Sequence, residues 1–108
     1  MKKLTSTPKH LTSEGKAIWR RLIGEYGISD AGGLEILQTG LEAHGRMRGV
    51  QAQIAREGAT FTDRFGQVKS HPLLPVERDA RAQYLSALKQ LCLDVEPLHA
   101  RPGRPGGS

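Results

Sequence analysis

A long helical pattern in the middle of the chain constrains the fold more than any other feature. It runs from about residue 30 to about residue 57, beginning after the capping pair Ser29-Asp30 and ending at Glu57-Gly58. At 1.5 Å per residue, a helix of that length extends roughly 40 Å. So long a helix must find partners along most of its length within a chain of 108 residues.

The apolar residues of this central helix form two separate stripes. The first contains Leu34, Leu37 and Leu41, and the second contains Ile36, Met47, Val50 and Ile54. Because a single stripe is enough to cover a protomer's own core, the second predicts an interface with other copies of the chain. The alternative is a bend at the helix glycines, which would let two helical segments follow one core.

Shorter helices are predicted on both sides of the central one. Thr12 and Ser13 offer a capping hydroxyl before Trp19 and the other apolar residues of a first helix, which Gly27 would end. Trp19 is predicted to lie in the core. A third helix is predicted to start with Pro75 in its first turn. Its apolar stripe contains Val76, Ala80, Tyr84, Ala87, Leu88 and Leu91.

Two further predictions concern the third helix: an ion pair and the environment of a cysteine. Glu77 and Arg81 are spaced as an i,i+4 ion pair and are expected on the solvent side. Cys92 is the only cysteine, so a disulfide within the chain is excluded. Its place on or beside the core face predicts a buried thiol rather than a nucleophile.

The segment between the second and third helices has β character. Thr60–Thr62 and residues 67–69 are predicted as two short strands about a turn at residues 63–66. Since an isolated hairpin is marginally stable, Phe61 or Phe65 is expected to anchor it. His71 precedes Pro72 and should be extended, and it is predicted to be a structural residue that closes the hairpin.

Net charge is +5 and is unevenly distributed along the chain. Residues 1–29 contain six Lys or Arg and two acids, which gives +4, whereas residues 70–96 contain three and four, which gives −1. A basic amino-terminal third favours a polyanionic partner, most simply double-stranded DNA. The predicted DNA-binding residues are Lys2, Lys3, Lys9, Lys16, Arg20 and Arg21. The alternative is a solvated basic surface without a partner.

Catalytic and cofactor chemistry is not indicated by the residue pattern. The four histidines lie in four different segments, without HExxH or paired Cys/His spacing. No glycine-rich loop is followed by Lys-Ser or Lys-Thr. We therefore predict no catalytic residues, no metal site and no cofactor. Neither a signal peptide nor a run of roughly 18 apolar residues is present, so no membrane association is expected.

The order of these features resembles that of the short terminase small subunits of tailed phages. "LTSEGKAIWRRL" is similar to the opening signature of that family, "GQVKSHPLL" to its segment before the third helix, and "LCLDVEPLHAR" to its end. Together these motifs cover about residues 8–101. The ending departs from the family, because Glu96 precedes Pro97 and three residues separate that proline from Arg101.

The resemblance implies a non-catalytic part of a DNA-packaging motor. Such subunits assemble into rings, engage the viral genome, and modulate a large subunit that carries the ATPase and nuclease. It implies a mainly α fold of three helices with a small hairpin between helices 2 and 3, forming a ring-type homo-oligomer in the cytoplasm of the bacterial host. The domain prediction is a flexible basic arm (1–10), a helical core and oligomerisation domain (11–96) and a flexible Pro/Gly-rich tail (97–108).

A second function remains open from the residues alone. The short connection between the first two helices would permit a helix-turn-helix, and hence a stand-alone DNA-binding transcriptional regulator. "DAGGLEILQTGLEAHG" carries few of the charged or amide side chains with which a recognition helix reads bases. A protein–protein adaptor without a role on DNA is a third possibility.

Overall fold

The computed structural model describes residues 6–93 and contains three helices and one hairpin. The elements are α1 (Ser13–Tyr26), α2 (Ala31–Glu57), β1 (Thr60–Thr62), β2 (Val68–Ser70) and α3 (Leu74–Gln90). The predicted mainly α class, with a long central helix and a hairpin before the third helix, is confirmed. The predicted tail (97–108) lies outside the described residues.

Local hydrogen bonds explain where the first two helices begin and end. The Thr12 hydroxyl accepts a hydrogen bond from the Gly15 N–H at 2.9 Å, and an Asp30 carboxylate oxygen accepts one from Gly33 at 2.8 Å. These side chains satisfy N–H groups that the first helical turn leaves unpaired. Gly27 ends α1 in the left-handed conformation (φ 63°) that glycine adopts without steric cost.

The core lies where α1 crosses α2. Leu37 and Leu41 are each 1% exposed and pack with Ile18 and Trp19 of α1 and with Leu11, which precedes that helix. The predicted burial of Trp19 is confirmed, at 3% exposure. Burial of side chains of this size stabilises the fold by about 1.5–3 kcal/mol each. The first apolar stripe of α2 therefore binds α1.

A second side of α2 packs on α3 within the same protomer. A Cβ placed on Gly40 would lie 2.6 Å from the Ala87 Cβ, so the two backbones approach closely at this point. Ala43 and Met47 of α2 and Ala80 of α3 are also buried. Both sides of the long helix thus have partners inside one chain.

Two residues of α3 differ from their predicted environment. Glu77 forms the predicted pair with Arg81 and also accepts a hydrogen bond from Gln51, but it is 7% exposed rather than solvated. Its two polar partners make that burial tolerable. Val76, predicted in the apolar stripe, is 44% exposed.

The prediction of a buried thiol at Cys92 is wrong. The helix ends at Gln90, and Cys92 follows in the left-handed region with φ 63°. The cysteine lies in this turn beyond the end of the helix, and its side chain is exposed.

The hairpin is antiparallel and pairs Thr60 with Ser70 and Thr62 with Val68. The second strand is therefore one residue later than predicted. Asp63 holds the turn, because its carboxylate accepts hydrogen bonds from the Phe65 and Gln67 N–H groups at 2.8 and 3.0 Å. The predicted aromatic anchor is wrong, since Phe61 is 47% and Phe65 73% exposed.

We predict that Gly40→Ala destabilises the protein by about 1–3 kcal/mol, because its methyl group would force α2 and α3 apart. The free energy of unfolding in urea measures this effect. Gly49→Ala is the matched control, since a Cβ there meets nothing within 4 Å. It should stabilise the same helix by about 0.5–1 kcal/mol. Equal stability of the two variants would contradict the close approach.

Candidate nucleic-acid interface

The outer side of α1 carries most of the predicted DNA-binding residues that the structure describes. Arg20 and Arg21 are exposed, and Lys16 is half-buried one turn before Arg20. Lys9 is exposed just before the helix. Lys2 and Lys3 lie outside the described residues, so their part of the predicted set stays a prediction.

These cations are not neutralised by neighbouring acids. Within residues 6–93, Lys9, Lys16, Arg20 and Arg21 form no ion pair with an Asp or Glu side chain. Unpaired cations keep their full charge for an external anion. Their positions, on one helix and the segment before it, make a single continuous basic region of the sequence.

Other cations are held by partners inside the protein. Arg46 donates to Gln83 at 2.7 Å, Arg48 pairs with Glu14 at 3.1 Å, and Arg81 pairs with Glu77. Arg56 and Lys89 lie in the last turns of α2 and α3, where a positive charge stabilises the helix dipole. Structural roles thus account for these cations, unlike those of α1.

Two polar contacts fix α1 and the segment before its cap to α2. The Arg48 guanidinium donates to both Glu14 oxygens, at 3.1 and 3.2 Å, and its hydrogen bond lowers the pKa of the Glu14 carboxyl. His10 Nε2 lies 2.8 Å from Glu42 Oε2, and its hydrogen bond lowers the pKa of Glu42. Both pairs are at least partly solvated, so each stabilises the fold only modestly.

Sequence reasoning missed both pairs and also the position of His44. The paired residues are 34 and 32 positions apart. No periodicity within a helix links residues so distant, and only the packing of α1 on α2 brings them together. His44 could be recognised as a histidine on the central helix, but not as one enclosed by three helices.

The predicted subunit-interface residues are not equivalent in the protomer. Ile36, Val50 and Ile54 are half-buried, whereas Met47 is 6% exposed and has little surface left for another copy. Ile36 lies in a groove of about 430 Å³ between α2 and α3. The interface set stays a prediction, with its accessible part at Ile36, Val50 and Ile54.

His71 lies at the base of the hairpin, and its hydrogen bonds show whether its role is structural or chemical. Its Nδ1 accepts a hydrogen bond from the Leu73 N–H at 3.0 Å, which places the ring proton of the neutral form on Nε2. Nε2 lies 2.5 Å from Glu57 Oε1, and the His71 N–H donates to the Ala59 carbonyl at 2.7 Å. Both ring nitrogens are occupied, and the predicted structural role of His71 is confirmed.

Neither a metal centre nor a membrane span is found in residues 6–93. No group of three His, Cys, Asp or Glu side chains in that range is placed to hold a metal ion. None of the helices within it combines the length and the apolar character that crossing a bilayer requires.

The fold and site define a small helical protein whose first-helix cations form no ion pair within residues 6–93. The chain belongs to the family of phage terminase small subunits, because the family model described as "Phage terminase, small subunit" matches residues 15–96. The match extends from the first turn of α1 through the hairpin and α3. It identifies a subunit of the phage packaging machinery, from a family that is generally the non-catalytic component. No curated protein and no solved structure matches the chain.

We predict that His71→Ala destabilises the protein by about 1–3 kcal/mol, because it leaves the Leu73 N–H without its acceptor and removes one of the two hydrogen bonds to the Glu57 carboxylate. Hydrogen exchange at the Leu73 amide and urea unfolding measure the loss. In His71→Asn, the shorter side chain can still accept from Leu73 but cannot reach Glu57. It should therefore lose less stability than His71→Ala. Wild-type exchange rates in His71→Ala would contradict this closing role.

Proposed function

We propose that this chain is the DNA-engaging, regulatory subunit of a phage packaging terminase, and that it has no catalytic activity of its own. It binds double-stranded viral DNA and modulates the ATPase and nuclease of the terminase large subunit in the cytoplasm of the bacterial host. Membership of the terminase small-subunit family, over residues 15–96, is the observation that carries this proposal.

The charge distribution supports DNA as the partner. Phosphates attract Lys and Arg without requiring a particular base sequence. Lys16, Arg20 and Arg21 lie on a helix whose other side is anchored in the core by Ile18 and Trp19. A rigidly seated helix loses little conformational entropy when its outer cations meet a phosphate backbone. The arm residues Lys2, Lys3 and Lys9 would extend the same contact.

Partly covered apolar residues on α2 support assembly into a homo-oligomeric ring. Ile36, Val50 and Ile54 are apolar residues that the single chain covers only in part. Subunits that meet through two different surfaces form a closed ring when the rotation between them closes. In such a ring, each copy would contribute its own basic α1, so several copies of this helix would contact the same DNA.

We predict that DNA affinity falls as salt rises, with a slope of log affinity against log salt near −0.9 per phosphate contact. The double substitution Arg20→Gln, Arg21→Gln should reduce the magnitude of that slope by about 1.8, because two contacts are lost. Fluorescence anisotropy of a labelled duplex across a salt series measures both values.

The matched control is Arg78→Gln on α3. Arg78 is exposed, like the α1 arginines, but pairs with Asp79 at 3.3 Å. It should leave the slope unchanged. Replacing Lys2, Lys3 and Lys9 together with Gln tests the arm separately. A slope that neither α1 nor arm substitutions change would refute the assignment of these residues.

We predict that the assembled chain changes the ATPase or nuclease rate of the large subunit. Val50→Lys with Ile54→Lys should lower the mass in solution and abolish that effect, because two buried charges oppose the subunit contact. Leu85→Lys is the control, since Leu85 is 52% exposed on α3. It should keep both the mass and the effect. If the wild-type oligomer leaves both rates unchanged, a stand-alone DNA-binding regulator becomes the better interpretation.

A further inference from the structure

A histidine is enclosed where the three helices meet. His44 of α2 is 3% exposed. Its Nε2 lies 3.8 Å from Glu14 Oε2 of α1, and its ring centroid lies 4.8 Å from that of Tyr84 on α3, with 63° between the ring planes. No other described histidine is in contact with both flanking helices.

One nitrogen of this ring has no hydrogen-bond partner. The Nδ1 atom of His44 is fully buried and makes no hydrogen bond within the part of the chain that the structure describes. In the neutral ring, with its proton on Nε2 toward Glu14, Nδ1 is only an unused acceptor. Protonation would turn it into a buried N–H donor without an acceptor and would add a charge beside the Tyr84 ring.

Some groups around His44 lower its pKa and one raises it. Burial lowers the pKa of His44; the Glu14 carboxylate raises it, and the Arg48 guanidinium on the same helix lowers it. Glu14 is half exposed and is already hydrogen bonded to Arg48, so it compensates an imidazolium only in part. Tyr84 adds no negative charge, because burial raises the pKa of its phenol.

The other ties of α1 also depend on titratable groups. The Glu14 carboxylate holds Arg48, and the Glu42 carboxylate of α2 holds His10 just before the helix. By contrast, α2 and α3 meet where the Gly40 backbone packs against the Ala87 methyl group, and through the Arg46–Gln83 and Gln51–Glu77 hydrogen bonds. The only carboxyl among these groups is that of Glu77, and its hydrogen bond from Gln51 lowers its pKa, so this contact keeps its protonation state down to a lower pH than a histidine does. Acid should therefore loosen α1 before it separates α2 from α3.

We propose that His44 is a proton-sensitive joint: its neutral ring permits α1 to dock on α2 and α3, and its protonation releases α1. Because α1 bears Lys16, Arg20 and Arg21, release would displace the DNA-binding helix. That consequence rests on the proposed function, whereas the joint itself does not.

The direction of the pH dependence follows from the lowered pKa. A histidine with a folded-state pKa below its usual 6.5 binds protons more readily when α1 is released. The stabilisation of the docked state is therefore complete above pH 6.5 and is lost as the pH falls below that value toward the folded-state pKa. The carboxylates of Glu14 and Glu42 titrate at lower pH, so their loss follows that of His44.

Trp19 makes the joint directly observable. It is the only tryptophan of the chain, lies on α1 and is 3% exposed. In the full-length protein without DNA, its emission should shift to the red between about pH 8 and about pH 5, with a midpoint below 6.5. Circular dichroism should retain the helical signal of α2 and α3 through this transition. Loss of the whole helical signal at the same pH would overturn the proposal.

His44→Leu, which conserves volume but cannot titrate, should remove the red shift. His10→Gln is the matched control, because His10 is solvated and should leave the midpoint unchanged. A red shift that persists in His44→Leu, or that disappears in His10→Gln, refutes the role of His44. Unchanged Trp19 emission in the wild type over this pH range also refutes that role.

If His44→Leu fails to fold, the wild-type protein still decides the question. The ring resonances of His44 followed by NMR should titrate below pH 6.5, together with the Trp19 transition. Titration at or above that value while Trp19 stays buried would overturn the proposal. None of these readouts involves DNA, so failure of the joint and failure of DNA binding are distinguished.

Discussion

The close approach of α2 and α3 at Gly40 and Ala87 is the contact on which the rest of the structure depends. With no Cβ on Gly40, the two helices come near enough for Tyr84 to reach His44 and for Ala43 and Met47 to be buried. The leucine side of α2 then remains available for α1. One long helix thus organises both of its neighbours, which explains how a small chain without disulfides holds a helix of 27 residues.

This arrangement separates two roles that the cations of the chain perform. Arg46 and Arg48 near the middle of α2 have partners in Gln83 and Glu14, and Arg81 on α3 has one in Glu77. Within the part of the chain that the structure describes, the cations on the outer side of α1 form no ion pair, so they stay available for phosphates. In the proposed DNA-binding role, a helix that is anchored by its apolar side and charged on the other would meet phosphates without rearranging the core.

The same packing gives α1 a weaker and more conditional attachment than α3 has. Its buried leucine contacts are reinforced by the carboxylates of Glu14 and Glu42 and by the neutral ring of His44, all of which respond to protons. The hairpin is held differently, because His71 uses both ring nitrogens and its backbone N–H to close the base of the loop. Histidines that look alike in the sequence therefore have unlike environments.

The sequence by itself determined the helices, their caps, the hairpin and the family. Capping by Thr12 and Asp30, the stop at Gly27 and the closing role of His71 follow from chemistry within a few residues, and such local rules can be applied without a structure. The tertiary structure alone decided which residues meet across the helices. It buried Glu77 and Met47, exposed Cys92 and Phe65, and enclosed His44. Burial depends on which face a distant segment covers, and neither periodicity nor composition specifies that segment.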